Sequence, residues 1–159
     1  MNYSRYLFRQ LYYQPLGSLT AAGSVRFGTM RRFSGTTPIS ILDVLFEAGG
    51  TNTVRGYPEE SLSAFNVAGF ALGGTELLIL NGELRFPLRK LFSGAVFVDA
   101  GNTFASTADI ALNGLAVGAG LGLRIRTPLA PLRLDFAYPF SSQYGQSGVR
   151  IHFSIGQMF

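Results

Sequence analysis

Three groups of residues in this 159-residue chain could carry chemistry, and each makes a different demand on the fold. His152 and Ser154 stand two apart, a base and a hydroxyl that a strand would put on one face, the minimum of a nucleophilic pair. No further group that would orient the imidazole is evident. His152 is the only histidine and there is no cysteine, which removes thiolate metal sites, disulfides and cysteine nucleophiles. Gly118, Gly120 and Gly122 alternate as in a phosphate-cradling loop, yet no helix follows and no Lys-Ser/Thr pair closes the run. Small residues on one side of a strand account for them. The third group, Val54-Arg55-Gly56-Tyr57, suits binding rather than bond-making. A planar fork of donors precedes a residue without a Cβ, so the backbone can come close to a wall. The residues alone leave two readings open for it, an exposed loop with one arginine or a docked segment. No catalytic residue, metal site or cofactor is read from the chain, and it is not read as an enzyme.

The elements that must position these residues are strands. From Leu115 to Thr127 every odd position is apolar or Thr, and the even ones are Ala116, Gly118, Gly120, Gly122, Arg124 and Arg126. Period 2 sorts the run and helical spacing does not. The pattern returns in Val149, Ile151, Phe153 and Ile155 against Arg150, His152 and Ser154. It recurs in Leu132, Leu134, Phe136 and Tyr138 against Arg133, Asp135 and Ala137, and in Val96 and Val98 against Phe97 and Asp99. Leu78, Leu80, Leu84 and Phe86 likewise oppose Asn81, Glu83 and Arg85, and Val25 and Phe27 oppose Ser24 and Arg26. Seven strands are predicted, at 3–14, 18–30, 74–87, 92–103, 115–127, 131–140 and 148–159, the first with poorly sorted faces. An eighth is available in 38–47, through Pro38, Ile39, Ile41, Val44 and Phe46.

Composition decides which face is outside. Charged residues are 14% of the chain, against roughly 25% in a typical soluble domain. The net charge is +4, but twelve arginines and the single Lys90 are dispersed among apolar neighbours, so no nucleic-acid patch forms. No run of ~18 apolar residues is present for a membrane-crossing helix, and the N-terminus lacks a signal-peptide core. The apolar faces instead persist over about the 9–11 positions with which a tilted strand crosses a bilayer. The opposite faces carry Gly, Arg, Glu and Asp. Apolar residues therefore point to lipid and polar ones inward. The predicted fold class is all-β, an antiparallel transmembrane β-barrel of seven or eight long strands in one domain over 1–159, with Phe86, Tyr138, Phe140 and Phe159 near strand ends as interfacial aromatics. A soluble sandwich with strands this long and lysine-poor would be prone to edge aggregation. Short turns at 14–17 and 127–130 contrast with longer connections at 104–114 and 141–147. The longest, 31–73, has the length of a functional loop.

At this point the motifs resemble a known family. AGGTNTVRGYPEESL is similar to the sixth extracellular loop of the BamA/TamA outer-membrane assembly and translocation barrels, which carries a Val-Arg-Gly-Phe/Tyr motif. GGTELLILNGELRFPL, GAVFVDAGNTF and VGAGLGLRIRTPLAPLRLDFAYPF follow in the family's order and resemble its next strands. The resemblance implies that the chain corresponds to roughly the last seven strands of a sixteen-stranded barrel. It implies a loop folded back inside, with Arg55 of Val54-Arg55-Gly56-Tyr57 packed on Glu83, Phe97 and Asp99, and with Gly101 leaving room beside the loop. Ile151, Phe153, Ile155 and Phe159 resemble an outer-membrane targeting signal, from which Gln157 departs.

The implied role is insertion or translocation of outer-membrane proteins, in a bacterial outer membrane. The expected contacts are membrane lipid and unfolded outer-membrane proteins. No nucleic-acid partner and no cofactor is expected. The rival is a non-translocating small barrel, an anchor, small pore or truncated remnant, which the absence of periplasmic domains ahead of the first strand would favour. An interior of only eight strands is filled by its own side chains. The loop must therefore stay outside a small closed barrel, or else a second copy or an N-terminal half must complete a larger one.

Overall fold

The structure, a computed structural model, describes residues 2–33, 43–141, 144 and 146–156. Nine strands occur among them: β1 (Tyr3–Leu16), β2 (Leu19–Arg32), β3 (Phe65–Val67), β4 (Phe70–Gly73), β5 (Glu76–Arg89), β6 (Phe92–Phe104), β7 (Ala116–Ile125), β8 (Leu132–Pro139) and β9 (Arg150–Ile155). Seven of them build one antiparallel sheet in the order β1-β2-β5-β6-β7-β8-β9, and β3 and β4 form a separate hairpin. The strands agree closely with the alternating segments of the sequence. β2 and β5 each run two residues further toward their C-terminal ends than the pattern suggests.

The tight turns have local causes. Gly17, at φ 64°, takes the left-handed conformation that lets Leu16 pair with Leu19. Thr127 closes the β7–β8 turn by donating its hydroxyl to the Ala130 carbonyl at 2.7 Å. All short turns fall at one end of the sheet, and the connections 33–75, 105–115 and 140–149 fall at the other.

Two expectations need correction. The small closed barrel is not formed: among the described residues β1 pairs only with β2 and β9 only with β8, so the sheet is open. An eighth wall strand is not formed in the described part of 38–47 either. Val44 lies in a 3-10 turn, and Phe46 makes only an isolated bridge to Gly74. Pro38, Ile39 and Ile41 lie outside the described residues. Phe46 is drawn instead onto the inner face of the sheet, where Gly28 leaves the space its ring fills.

Exposure follows the alternation with the sign reversed from a water-soluble protein. Val98, Leu121 and Phe153 are 51%, 61% and 64% exposed, whereas Asp99 and Asp135 are completely buried. An apolar outer face over seven strands fits lipid contact. Val98→Arg, mid-strand on that face, is expected to cost about 2–4 kcal/mol of folding free energy in lipid. A denaturant titration in vesicles measures it, and an unchanged midpoint would mean that this face does not meet lipid.

The inner face is not polar throughout. Near the long-connection end, Met30, Leu77, Ile79 and Ala116 of the wall pack with Leu45, Phe46, Ala48, Val54, Tyr57 and Leu62 of the 33–75 connection. This patch lies on the side that alternation assigns to polar residues. It is buried because the connection folds back over it, and dehydration of these side chains holds the connection down.

Candidate functional site

The connection is shaped to deliver four residues to the wall. Gly49 and Gly50, at φ 101° and 97°, reverse the chain, a conformation side chains disfavour. The Gly50 N–H donates to the Val54 carbonyl at 3.1 Å, and Glu59 Oε1 accepts from the Thr51 N–H at 2.7 Å. The Leu62 N–H donates to the Ala48 carbonyl at 2.9 Å and ties the base of the loop. Val54, Arg55 and Tyr57 are all fully buried at its tip.

Arg55 binds carboxylates on three strands, and a fourth strand braces those carboxylates. Its Nε and Nη2 donate to the two oxygens of Asp99 on β6, at 2.7 and 3.0 Å, a bidentate pairing. Its backbone N–H adds a bond to Asp99 Oδ2 at 3.1 Å. Nη1 donates to Glu83 Oε2 on β5 at 3.0 Å and to Asp135 Oδ2 on β8 at 3.3 Å. The guanidinium lies 3.4 Å over the centre of the Phe97 ring, a cation–π contact. The fourth strand, β7, gives Arg124, which binds both Glu83, at 2.9 Å, and Asp135. Arg85 Nε donates to Glu83 Oε1 at 2.7 Å. Three guanidiniums thus neutralise three buried carboxylates, and one of the three belongs to the loop. Burial by itself would ease a proton off Arg55; the bond to Asp99 and the charges of Asp99, Asp135 and Glu83 outweigh it and hold its pKa above the ordinary value.

Flanking contacts fix the register. Asn81 donates to the Thr53 carbonyl at 2.7 Å and to Asp99 Oδ1 at 2.8 Å, so one wall residue reads both the loop and its partner. Arg133 donates to Asn52 Oδ1 at 3.0 Å. The Tyr57 hydroxyl donates to the Val117 carbonyl at 3.0 Å and accepts from the Ser141 N–H at 3.2 Å. Tyr57→Phe keeps the ring's burial and loses both bonds. It is expected to cost about 1–3 kcal/mol, read as a lower denaturant midpoint for the docked loop. An unchanged midpoint would mean that the hydroxyl does not hold Tyr57 in place.

The structure brings Val54, Arg55, Gly56 and Tyr57 together with Glu83, Phe97 and Asp99. Gly101 does something other than expected. A Cβ there would strike Ile79 Cδ1 and the Leu78 carbonyl oxygen, so it makes room for a wall side chain and not for the loop. The glycine that admits the loop is Gly118, where a Cβ would fall on the Arg55 carbonyl oxygen; at Gly120 it would meet the Phe97 ring. The alternation had placed Arg124 and Asp135 inward, but nothing in their spacing marked them as partners of Arg55. Ile151, Phe153 and Ile155 face outward at the apolar surface, and Phe159 lies outside the described residues. His152 and Ser154 do not face each other as base and nucleophile. The imidazole meets the loop, and Ser154 Oγ accepts from Arg133 Nε at 2.7 Å.

Long antiparallel strands, apolar outside, with an inward-folded connection held by a buried arginine, are the wall of a transmembrane β-barrel. The chain belongs to the Omp85 superfamily, whose domain model matches residues 1–159. It is 34% identical over 119 residues to the chloroplastic outer envelope protein 80 of Arabidopsis thaliana, covering 70% of this chain and 14% of that protein. It is 28% identical over 158 residues to the outer membrane protein assembly factor BamA of Nitratidesulfovibrio vulgaris, covering 94% and 20%. A crystal structure of BamA from Haemophilus ducreyi lacking POTRA domains 1–3 shares the fold, with a TM-score of 0.75 at 19% identity over 95% of this chain and 34% of that one. The chain therefore spans a fifth or less of the two curated relatives named here. Its relatives are outer-membrane and outer-envelope proteins, and the chain is integral to an outer membrane.

Proposed function

We propose that this chain is the wall-and-lid portion of a barrel that inserts or translocates outer-membrane proteins. The observation that carries the reading is the burial of Arg55 on Asp99, Glu83 and Asp135. A fully buried cation whose counter-charges come from three different strands fixes the connection in one place, as a lid requires. The site offers binding and no bond chemistry, so its work is mechanical: the Val54–Tyr57 tip holds the lid, and unfolded outer-membrane protein is the substrate. Two relatives of this family are named for outer-membrane protein assembly or are outer-envelope proteins, and this agrees with the reading.

The test is an insertion assay. The protein is reconstituted in vesicles, and the folding rate of an added unfolded outer-membrane protein is followed. Acceleration over empty vesicles that falls when Arg55 is replaced supports the reading. A correctly folded protein with no effect on insertion would favour a non-translocating anchor or pore instead.

A further inference from the structure

One further wall contact of the loop is an imidazole. His152 on β9 stands beneath the tip of the connection, and its Nε2 lies 3.0 Å from the Gly56 backbone nitrogen. A backbone N–H can only donate, so Nε2 must carry a lone pair. Nδ1 lies 3.2 Å from Thr51 Oγ1. In the neutral ring the remaining proton then sits on Nδ1 and is donated to the Thr51 hydroxyl. One side chain thus clamps the loop at two points five residues apart; the bond to Gly56 requires the neutral ring, and only this tautomer makes both bonds with Nδ1 as the donor to Thr51.

We propose that His152 is a positioning residue that locks the inward-folded connection only while its imidazole is neutral, making the lid acid-releasable. This holds whether or not the barrel inserts proteins, because it concerns how the loop is seated. Protonation puts a hydrogen on Nε2, directly against the Gly56 N–H. The bond becomes a donor–donor clash, and the buried amide loses its acceptor.

Four charged groups surround the ring. Asp135, the register partner of His152 on β8, has one oxygen bound by Arg55 and the other by Arg124. The Arg55 guanidinium on the loop and Arg150 on β9 are cations facing the same ring. Glu59 on the loop is the remaining carboxylate near it, and its Oε1 accepts from the Thr51 N–H. The sign follows. The clamp is present at high pH and lost as pH falls through the range where histidine takes up a proton, about 6.5 when unperturbed. Arg55, Asn81, Arg133 and Tyr57 hold the connection through other bonds, so acid loosens one fastening among several.

Two measurements test this on the folded protein. The chain has no native cysteine, so spin labels at Val67→Cys, on the exposed β3–β4 hairpin, and Leu112→Cys, on the exposed 105–115 connection, report the hairpin's position cleanly. The expected result is a broadened distance distribution at pH 5 relative to pH 8. About a tenfold rise in the undocked fraction corresponds to one lost buried hydrogen bond. In His152→Gln, whose side chain cannot titrate, the distribution is expected not to change with pH. Equal broadening in His152→Gln would assign the effect to Glu59 or its neighbours and overturn the proposal, as would a distribution in the unaltered protein that does not respond to acid. Should His152→Gln fail to fold, nitrogen NMR of the histidine-labelled protein decides. A neutral ring protonated at Nδ1 at pH 8 supports the clamp, and a ring protonated at Nε2 refutes it.

Discussion

Replacing Arg55 with alanine is expected to free the 43–75 connection from the wall while leaving the seven-stranded sheet paired. Without the Arg55 side chain, Glu83 keeps Arg85 and Arg124 and Asp135 keeps Arg124, whereas Asp99 loses both guanidinium bonds and is left with Asn81. Breaking a buried ion pair by removing one partner costs about 3–5 kcal/mol, because the other charge stays buried without compensation. At about 1.4 kcal/mol per tenfold, that is a rise of roughly two to three and a half orders of magnitude in the undocked population. Limited proteolysis of the folded protein measures it, as cleavage within the connection relative to the strands. Arg55→Lys keeps the charge and loses the planar fork, so it is expected to fall between. In a double-mutant cycle, adding Asp99→Asn to Arg55→Ala is expected to restore part of the loss, since the orphaned charge is then gone. Additive losses would mean that the two residues do not act as a pair.

Gly118→Ala is expected to produce nearly the same undocking with every charge intact. The added methyl would occupy the position of the Arg55 carbonyl oxygen, and β7 cannot retreat because β6 and β8 flank it on both sides. Overpacking of this kind costs about 1–3 kcal/mol where neighbours yield a little. Here the neighbour is backbone, so the loop must lift. Gly82→Ala is the matched control. It lies mid-strand on β5 facing outward, and its new methyl would meet only Val98, at 3.7 Å in ordinary contact. If the two alanines behave alike, the close approach of the loop to β7 is wrong. If only Gly118→Ala raises protease sensitivity of the connection, backbone proximity at the wall is established independently of electrostatics.

Much of this was legible in the chain. Period-2 alternation located seven strands and sorted Glu83, Phe97, Asp99 and Asp135 inward, because a strand has no other way to place successive side chains. Family resemblance singled out Arg55 as the loop's anchor. What stayed hidden was long-range. Asp135 and Arg124 join the Arg55 cluster only because β7 lies beside β6 and β8 beside β7, an adjacency that alternation does not encode. His152 looked like a weak catalytic candidate, because its partners are a backbone amide and a threonine about a hundred residues away. Met30, Leu77 and Ile79 contradicted the rule that the inner face is polar, since the rule presumes water there and the connection supplies an apolar cover. The hairpin β3–β4 lies in a stretch whose strands, at three and four residues, are too short for periodicity to register. Closure, too, is not a property that alternation reports. The same pattern serves a sheet that closes on itself and one that forms part of a larger wall.

The central claim is that the Val54–Tyr57 tip sits on the inner wall rather than in solvent, and hydrogen exchange of the unaltered folded protein tests it most directly. The Arg55 and Gly56 amides donate to Asp99 and His152, and both residues are buried. Peptides covering 53–57 are therefore expected to exchange on the slow timescale of the paired strand β6. Exchange of these amides within seconds, at the rate of an unstructured loop, while β6 stays protected, would contradict the docked lid.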